Sequence, residues 1–234
     1  MASPNRRLAA KISDNETLGA SAMLMSTHTA PPFYKNGYVL GCETTRDAVI
    51  IDPGDEVDEV IAAVQASSLT VRHILLTHSH LDHITGVGRA KAAFQTPVWL
   101  HDDDRPLYDA VVQQGMMFGL RVERQPPPDR SYRHGDTVAF GRYLVRIHDT
   151  PGHSPGGVCL QVGTADDAGL DLFVGDTLFA GSIGRTDLPG ANHATLLQSI
   201  HSVLLAFPDE ARVYAGHGEP TTIGRERRSN PFLT

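Results

Sequence analysis

Apolar residues recur along this chain in short runs separated by polar, glycine-rich and proline-rich breaks. From about Ala20 an extended segment begins, and Thr29-Ala30-Pro31-Pro32 interrupts it. Tyr38-Val39-Leu40 and Ala48-Val49-Ile50-Ile51-Asp52 read as a strand pair, the second ended by Pro53-Gly54. Val57, Val60, Ile61 and Val64 then fall at i, i+3, i+4 and i+7, the spacing of one helix face, with Asp55 as the expected N-cap. Ile74-Leu75-Leu76 and Val98-Trp99-Leu100 are further short apolar runs. The stretch from His101 to His134 is less regular, with Gln113-Gln114-Gly115-Met116-Met117-Phe118-Gly119 and Pro126-Pro127-Pro128. A long connection with exposed apolar residues reads equally as an active-site wall or as plain surface chain. The strand pattern returns in Val138 to Phe140, Tyr143 to Ile147, Val158 to Val162 and Leu170 to Val174. A helix from about Ala194 places Leu196, Leu197, Ile200, Val203 and Leu204 on one face, and Arg212-Val213-Tyr214-Ala215 reads as a last strand. Strands and a helix are thus followed by strands and a helix again. Residues 1–19 are polar and lack periodicity, so they are expected to form a flexible extension before one domain over residues 20–234.

Chemistry interrupts this pattern in Thr77-His78-Ser79-His80-Leu81-Asp82-His83, directly after the apolar run Ile74-Leu75-Leu76. A buried strand that ends in clustered imidazoles and a carboxylate reads as a metal site, since zinc and similar ions take both ligand types. A surface histidine-rich loop is the competing explanation. It fits poorly with a cluster inside the chain that carries an aspartate at a fixed offset.

Composition narrows the field. The 234 residues can bury a sizeable core, and the 41% hydrophobic content is that of a globular chain. No apolar run approaches the roughly 20 residues that span a bilayer. Arg6, Arg7 and Lys11 are not followed by an apolar segment, so no secretory signal is read and a cytoplasmic location is expected. The net charge of −7 argues against nucleic acid as a partner. Cys42 and Cys159 lie in separate strand-like runs without a CxxC partner and read as small buried hydrophobes.

The motifs taken together resemble the metallo-β-lactamase fold superfamily. His78-x-His80-x-Asp82-His83 is similar to its HxHxDH motif. Thr150-Pro151-Gly152-His153-Ser154-Pro155-Gly156 resembles the TPGHTPG loop, and Gly175-Asp176-Thr177-Leu178-Phe179 the GDxLF loop. Gly184-Arg185-Thr186-Asp187-Leu188-Pro189 resembles the GRTDLP stretch of the glyoxalase II branch, and Ala215-Gly216-His217-Gly218 the GHG loop. The tail from Thr221 to Leu233 is similar to the TIGxERxxNPFL ending of short glyoxalase II-like hydrolases. Five ordered motifs and a matching tail are far more specific than one motif.

That resemblance implies an α/β fold, an αββα four-layer sandwich, with metals between its halves at the strand ends. It implies seven ligands, too many for one tetrahedral ion. His78, His80 and His153 would hold one divalent ion. Asp82, His83 and His217 would hold a second, and Asp176 would bridge both. Zinc is the expected metal, with iron or manganese compatible. A bridging hydroxide would attack an acyl carbon, and Asp82 is the candidate catalytic residue for orienting it or taking its proton. The implied partner is a small-molecule thioester of the S-lactoylglutathione type, or a related acyl substrate, with no membrane or nucleic-acid partner. The helical domain that supplies glutathione contacts in full-length glyoxalase II is not expected here, which would weaken glutathione recognition. Rivals on the same residues are a persulfide dioxygenase with one iron, for which Leu81 to Gly86 is also compatible, a lactonase, and a β-lactamase-like amide hydrolase. Asp176 stands where several β-lactamases carry other ligands. The other seven histidines (His28, His73, His101, His134, His148, His193 and His201) are expected at surface or satisfied core positions. Arg185 and Asp187 are expected to support the site rather than react, and Asn36 either lines the cleft or makes a turn.

Overall fold

A computed structural model describes residues 23–233. The expected extension over residues 1–19 lies outside the described residues. Among the described residues there are two six-stranded sheets. The first is laid down in chain order by β1 (Leu24–Ala30), β2 (Lys35–Gly41), β3 (Asp47–Ile51), β4 (Thr70–Leu75), β5 (Val98–His101) and β6 (Arg130–Tyr132). The pairs from β1 to β3 are antiparallel, and those from β3 to β6 are parallel. Parallel neighbours need crossovers, which are α1 (Val57–Ala66), α2 (Leu81–Ile84) with α3 (Val87–Phe94), and α4 (Arg105–Asp109) with α5 (Val111–Met117).

The second sheet holds β7 (Thr137–Phe140), β8 (Tyr143–Asp149), β9 (Val158–Thr164) and β10 (Asp171–Gly175). After β10 comes a small hairpin of β11 (Leu178–Phe179) and β12 (Ser182–Ile183), then α6 (His193–Ser202), β13 (Arg212–Ala215), β14 (Thr221–Thr222) and α7 (Ile223–Ser229). Its strand order is β14-β13-β10-β9-β8-β7.

Alternation along each strand explains the four layers. Tyr38, Leu40, Val49, Ile51 and Leu75 point from the first sheet into one core with Val145, Ile147, Leu160, Phe173 and Tyr214 of the second. The residues between them face outward. Val39, Ile50 and Ile74 pack with Val57, Val60, Val87 and Tyr108. Leu172, Val174 and Val213 pack with Leu196, Ile200 and Ile223. The order is helices, sheet, sheet, helices, as the motifs implied. Cys42 and Cys159 are buried and free. No helix among the described residues is long and apolar enough to cross a membrane.

Two local expectations are corrected. Glu56, not Asp55, is the N-cap of α1, and it makes no side-chain cap bond. The Asp55 carboxylate instead accepts from Thr85 Oγ1 at 2.8 Å, a tertiary partner that outcompetes the cap. The stretch 101–134 is not a bare loop, because it folds into α4, α5 and the edge strand β6.

Candidate metal centre

Five connections meet at one end of the sandwich, and four of them deliver the predicted residues. β4 runs into His78, His80, Asp82 and His83; the β8–β9 connection brings His153; Asp176 follows β10; and His217 follows β13. The fifth, after β3, brings Asp52. The two sheets are stitched together at this end. Val158 N donates to Thr77 O at 2.9 Å and Asn36 N to Gly216 O at 2.6 Å. Asn36 neither lines the cleft nor makes a turn. It is buried in β2, and its Nδ2 donates to Ala215 O and Gly218 O at 3.0 and 2.9 Å, bracing the loop that carries His217.

The ligand atoms of His78, His80 and His153 all lie within 4.8 Å of one another, and so do those of Asp82, His83 and His217. Asp176 lies between the two triads. Its Oδ1 faces His83 Nε2 at 3.4 Å, and its Oδ2 is 3.6 Å from both His153 Nε2 and His217 Nε2. The backbone must approach closely here. A Cβ on Gly216 would collide with Asp176 Oδ1 and come within 2.7 Å of the His83 ring, so only glycine fits.

The donor atoms suit cations. His78 Nε2, His80 Nε2, His83 Nε2 and Asp176 Oδ1 are buried and make no hydrogen bond. Buried polar atoms are seldom left this way, and four of them on the predicted ligand side chains mark missing partners. The outer ring atoms show which nitrogen carries the lone pair. His153 Nδ1 donates to Arg185 O at 2.8 Å, which leaves Nε2 as the free acceptor. That Nε2 lies 2.8 Å from His80 Nδ1, too close for two bare lone pairs unless a proton or cation sits between them. The residues present therefore fit two metal ions.

Asp52, read from the sequence only as the end of a strand, anchors two of the imidazoles. Its Oδ2 accepts from His83 Nδ1 at 3.0 Å and from Thr77 Oγ1 at 2.6 Å, and Thr77 Oγ1 in turn lies 3.1 Å from His78 Nδ1. Such outer contacts fix which nitrogen faces a metal. The signal was a carboxylate at the end of the strand parallel to and beside the one feeding the histidine loop.

Asp104 was also missed. It is fully buried; its Oδ2 accepts from Ser79 N at 2.7 Å and its Oδ1 from Gly156 N at 2.6 Å, tying the His78–His80 loop to the His153 loop. Gln114 on α5 accepts from Leu81 N at 3.0 Å and donates to Ser79 O at 2.9 Å. Arg185 supports the site through its main chain, while its guanidinium pairs with Asp187 at 2.7 Å. His101, His134, His148 and the other histidines without a motif stand outside both triads.

Electrostatics sort the ligands. Burial, together with the neighbouring imidazoles, pushes His78 well below the usual histidine range and takes His80 down to about 3. Both are therefore neutral and able to ligate. Burial also opposes charge on His83, but Asp82 and Asp176 outweigh it and hold His83 up at about 10. Burial alone would raise Asp82 and Asp176, yet the adjacent imidazoles keep both below the ordinary carboxylate range. Two carboxylates around one imidazolium form a centre that calls for positive charge.

A cleft of about 220 Å³ opens onto this cluster. His80, Asp82, His153, Asp176 and His217 form its floor. Part of the stretch 101–134 is indeed a wall of this cleft, through Leu107, Gln114, Met117 and Phe118.

Comparison with known proteins agrees with this geometry. The sequence model of the Metallo-beta-lactamase superfamily matches residues 30–217. Hydroxyacylglutathione hydrolase GloC of Haemophilus influenzae is 37% identical over 190 residues, spanning 80% of this chain and 88% of that protein. The crystal structure of BLEG-1 B3 metallo-beta-lactamase superposes with a TM-score of 0.82 at 37% identity, covering 90% of this chain and 100% of that one. TTHA1623 in a di-iron-bound form superposes with a TM-score of 0.79 at 40% identity, covering 88% and 99%.

Proposed function

The chain belongs to the metallo-beta-lactamase superfamily, and on that premise we propose that it is a two-metal hydrolase of thioesters of the S-lactoylglutathione type. The observation that carries this reading is the pair of triads facing each other across Asp176, with four buried polar atoms of these side chains left without partners. His78, His80 and His153 would hold one ion, Asp82, His83 and His217 the other, and Asp176 would contact both. Divalent ions held this way make a nucleophile of water near neutral pH and polarise an acyl carbonyl.

The protein's own groups prepare that chemistry. Neutral His78 and His80 offer lone pairs without first losing a proton. Arg185 O and the Asp52–Thr77 pair fix ring orientation, which removes a reorganisation cost at the moment of reaction. Asp82 lies on the cleft floor beside His217 Nε2 at 3.1 Å and stays ionised, so it can accept a proton released there. The GloC relative, named as a hydroxyacylglutathione hydrolase, supports the thioester substrate. A second reading, β-lactam hydrolysis, is favoured by the likeness to BLEG-1, a protein described as a B3 metallo-beta-lactamase.

Metal analysis joined to a substrate panel tests the proposal. We expect about two ions per chain and cleavage of S-lactoylglutathione without oxygen uptake. One iron per chain with oxygen consumed on glutathione persulfide would overturn it. A β-lactam preferred over every thioester would retain the metal centre and replace the substrate.

A further inference from the structure

We infer that the apolar wall of the cleft, built by Phe33, Leu107, Met117, Phe118 and Leu188, holds a hydrocarbon chain on the acyl side of the substrate. The inference rests on the proposed hydrolysis only for where the reacting carbon lies, which is against the ligand cluster.

Six large apolar side chains are exposed among the described residues, and two of them, Met117 and Phe118, line this cleft. They are 63% and 43% exposed, and the exposed Met116 and Tyr34 adjoin the lining residues Met117 and Phe33 in sequence. Scattered exposed apolar residues need no account, but a contiguous patch at the mouth of a reactive site marks a binding surface. Phe33 and Phe118 meet edge to face, with centroids 5.7 Å apart, and so join the chain before β2 to the end of α5. Leu107 from α4 and Leu188 from the segment after β12 line the same cleft.

Polar side chains of the lining are already committed. The Gln114 amide is used by Ser79 O, Leu107 O and Leu81 N, at 2.9, 2.8 and 3.0 Å. The Arg185 guanidinium makes two bonds of 2.7 Å to the Asp187 carboxylate, which take two of its five N–H groups. Away from the ligand cluster, then, the lining side chains offer a ligand mainly apolar contact, with the remaining Arg185 N–H groups as the exception. A chain of methylenes gains from such a wall. Met117 adds an unbranched, flexible surface that adapts to different chains.

Size sets a limit. A cleft of about 220 Å³ holds about seven groups the size of a water, at roughly 30 Å³ each. The gain per methylene should therefore stop near that length.

The test is calorimetric titration of straight-chain carboxylates, acetate through octanoate, into the zinc-loaded protein. Their head groups take the acyl position and their tails the wall. We expect affinity to rise roughly fourfold per methylene and to level off at about seven non-hydrogen atoms. In a double variant, Met117→Ser with Phe118→Ser, the rise should fall below about twofold per methylene. Both positions are exposed, and an unchanged melting temperature would show the variant folded. A flat series in the unaltered protein, or the same slope in a folded double variant, overturns the inference. Thioester turnover alongside a flat series would sink the inference and leave the proposed hydrolysis standing. A chain-length slope in a protein that cleaves no thioester would do the reverse.

Discussion

Asp176 is one carboxylate with a different set of neighbours for each oxygen, and that division makes it the most consequential single residue of the centre. Asp176→Asn keeps the shape and removes the charge facing His83, His153 and His217. We expect turnover to drop at least about a hundredfold, the upper end of what losing a metal-site contact does, with an unchanged circular dichroism spectrum. Near-normal turnover in the fully metallated variant would refute its role between the ions. His83 carries a second expectation. Held up at about 10, it is protonated at neutral pH without metal, and a ligating imidazole must be neutral. Zinc uptake should therefore expel about one proton from His83, and apparent affinity should weaken about tenfold for each pH unit below ten. His78 and His80 are already neutral and the carboxylates already ionised, so they add nothing to this release. Binding heats that do not change between buffers of different ionisation enthalpy would contradict the assignment. At this scale the histidines and Asp176 were legible because their neighbours in sequence form motifs. Asp52 and Asp104 were not, since each acts through a partner at least 25 positions away. A run such as Asp102-Asp103-Asp104 looks like a solvated face until the fold buries its last member.

Elements hold the centre by their ends, and the connections rather than the strands carry the precision. Asp104, in a single 3-10 turn before α4, clamps two of the ligand loops through main-chain amides. Asp104→Ala would strand two buried N–H groups, at about 1–3 kcal/mol each. For a chain of this size the melting temperature should fall by roughly 5–15 °C. A calorimetric shift under about 2 °C would show that the amides find other partners. Short, nearly continuous apolar runs made the strands readable in advance, because both faces of each sheet are covered. Its failures have local causes. Asp55 was a sound cap by composition but is claimed by Thr85. The short hairpin β11–β12 and the two-residue β14 are too brief to leave a periodic trace. The helix α5 was hidden because its glycine and its exposed methionines break the apolar stripe, and the same exposure gives it a place in the cleft wall.

At the scale of the whole molecule, neither triad belongs to one sheet. His78 and His80 wait for His153, and Asp82 and His83 wait for His217. The layered architecture could be read from two successive strand–helix patterns, but the mutual dependence of the halves could not, since it arises only when the sheets face each other. That arrangement has a consequence for how the protein is made. A ribosome releases residues 78–83 long before residue 217 exists. Until residue 153 is made, the growing chain exposes a histidine cluster that can complete neither set of three. The first set gains its last ligand with residue 153 and the second only with residue 217, so the two ions either load in that order during synthesis or both wait for the finished chain.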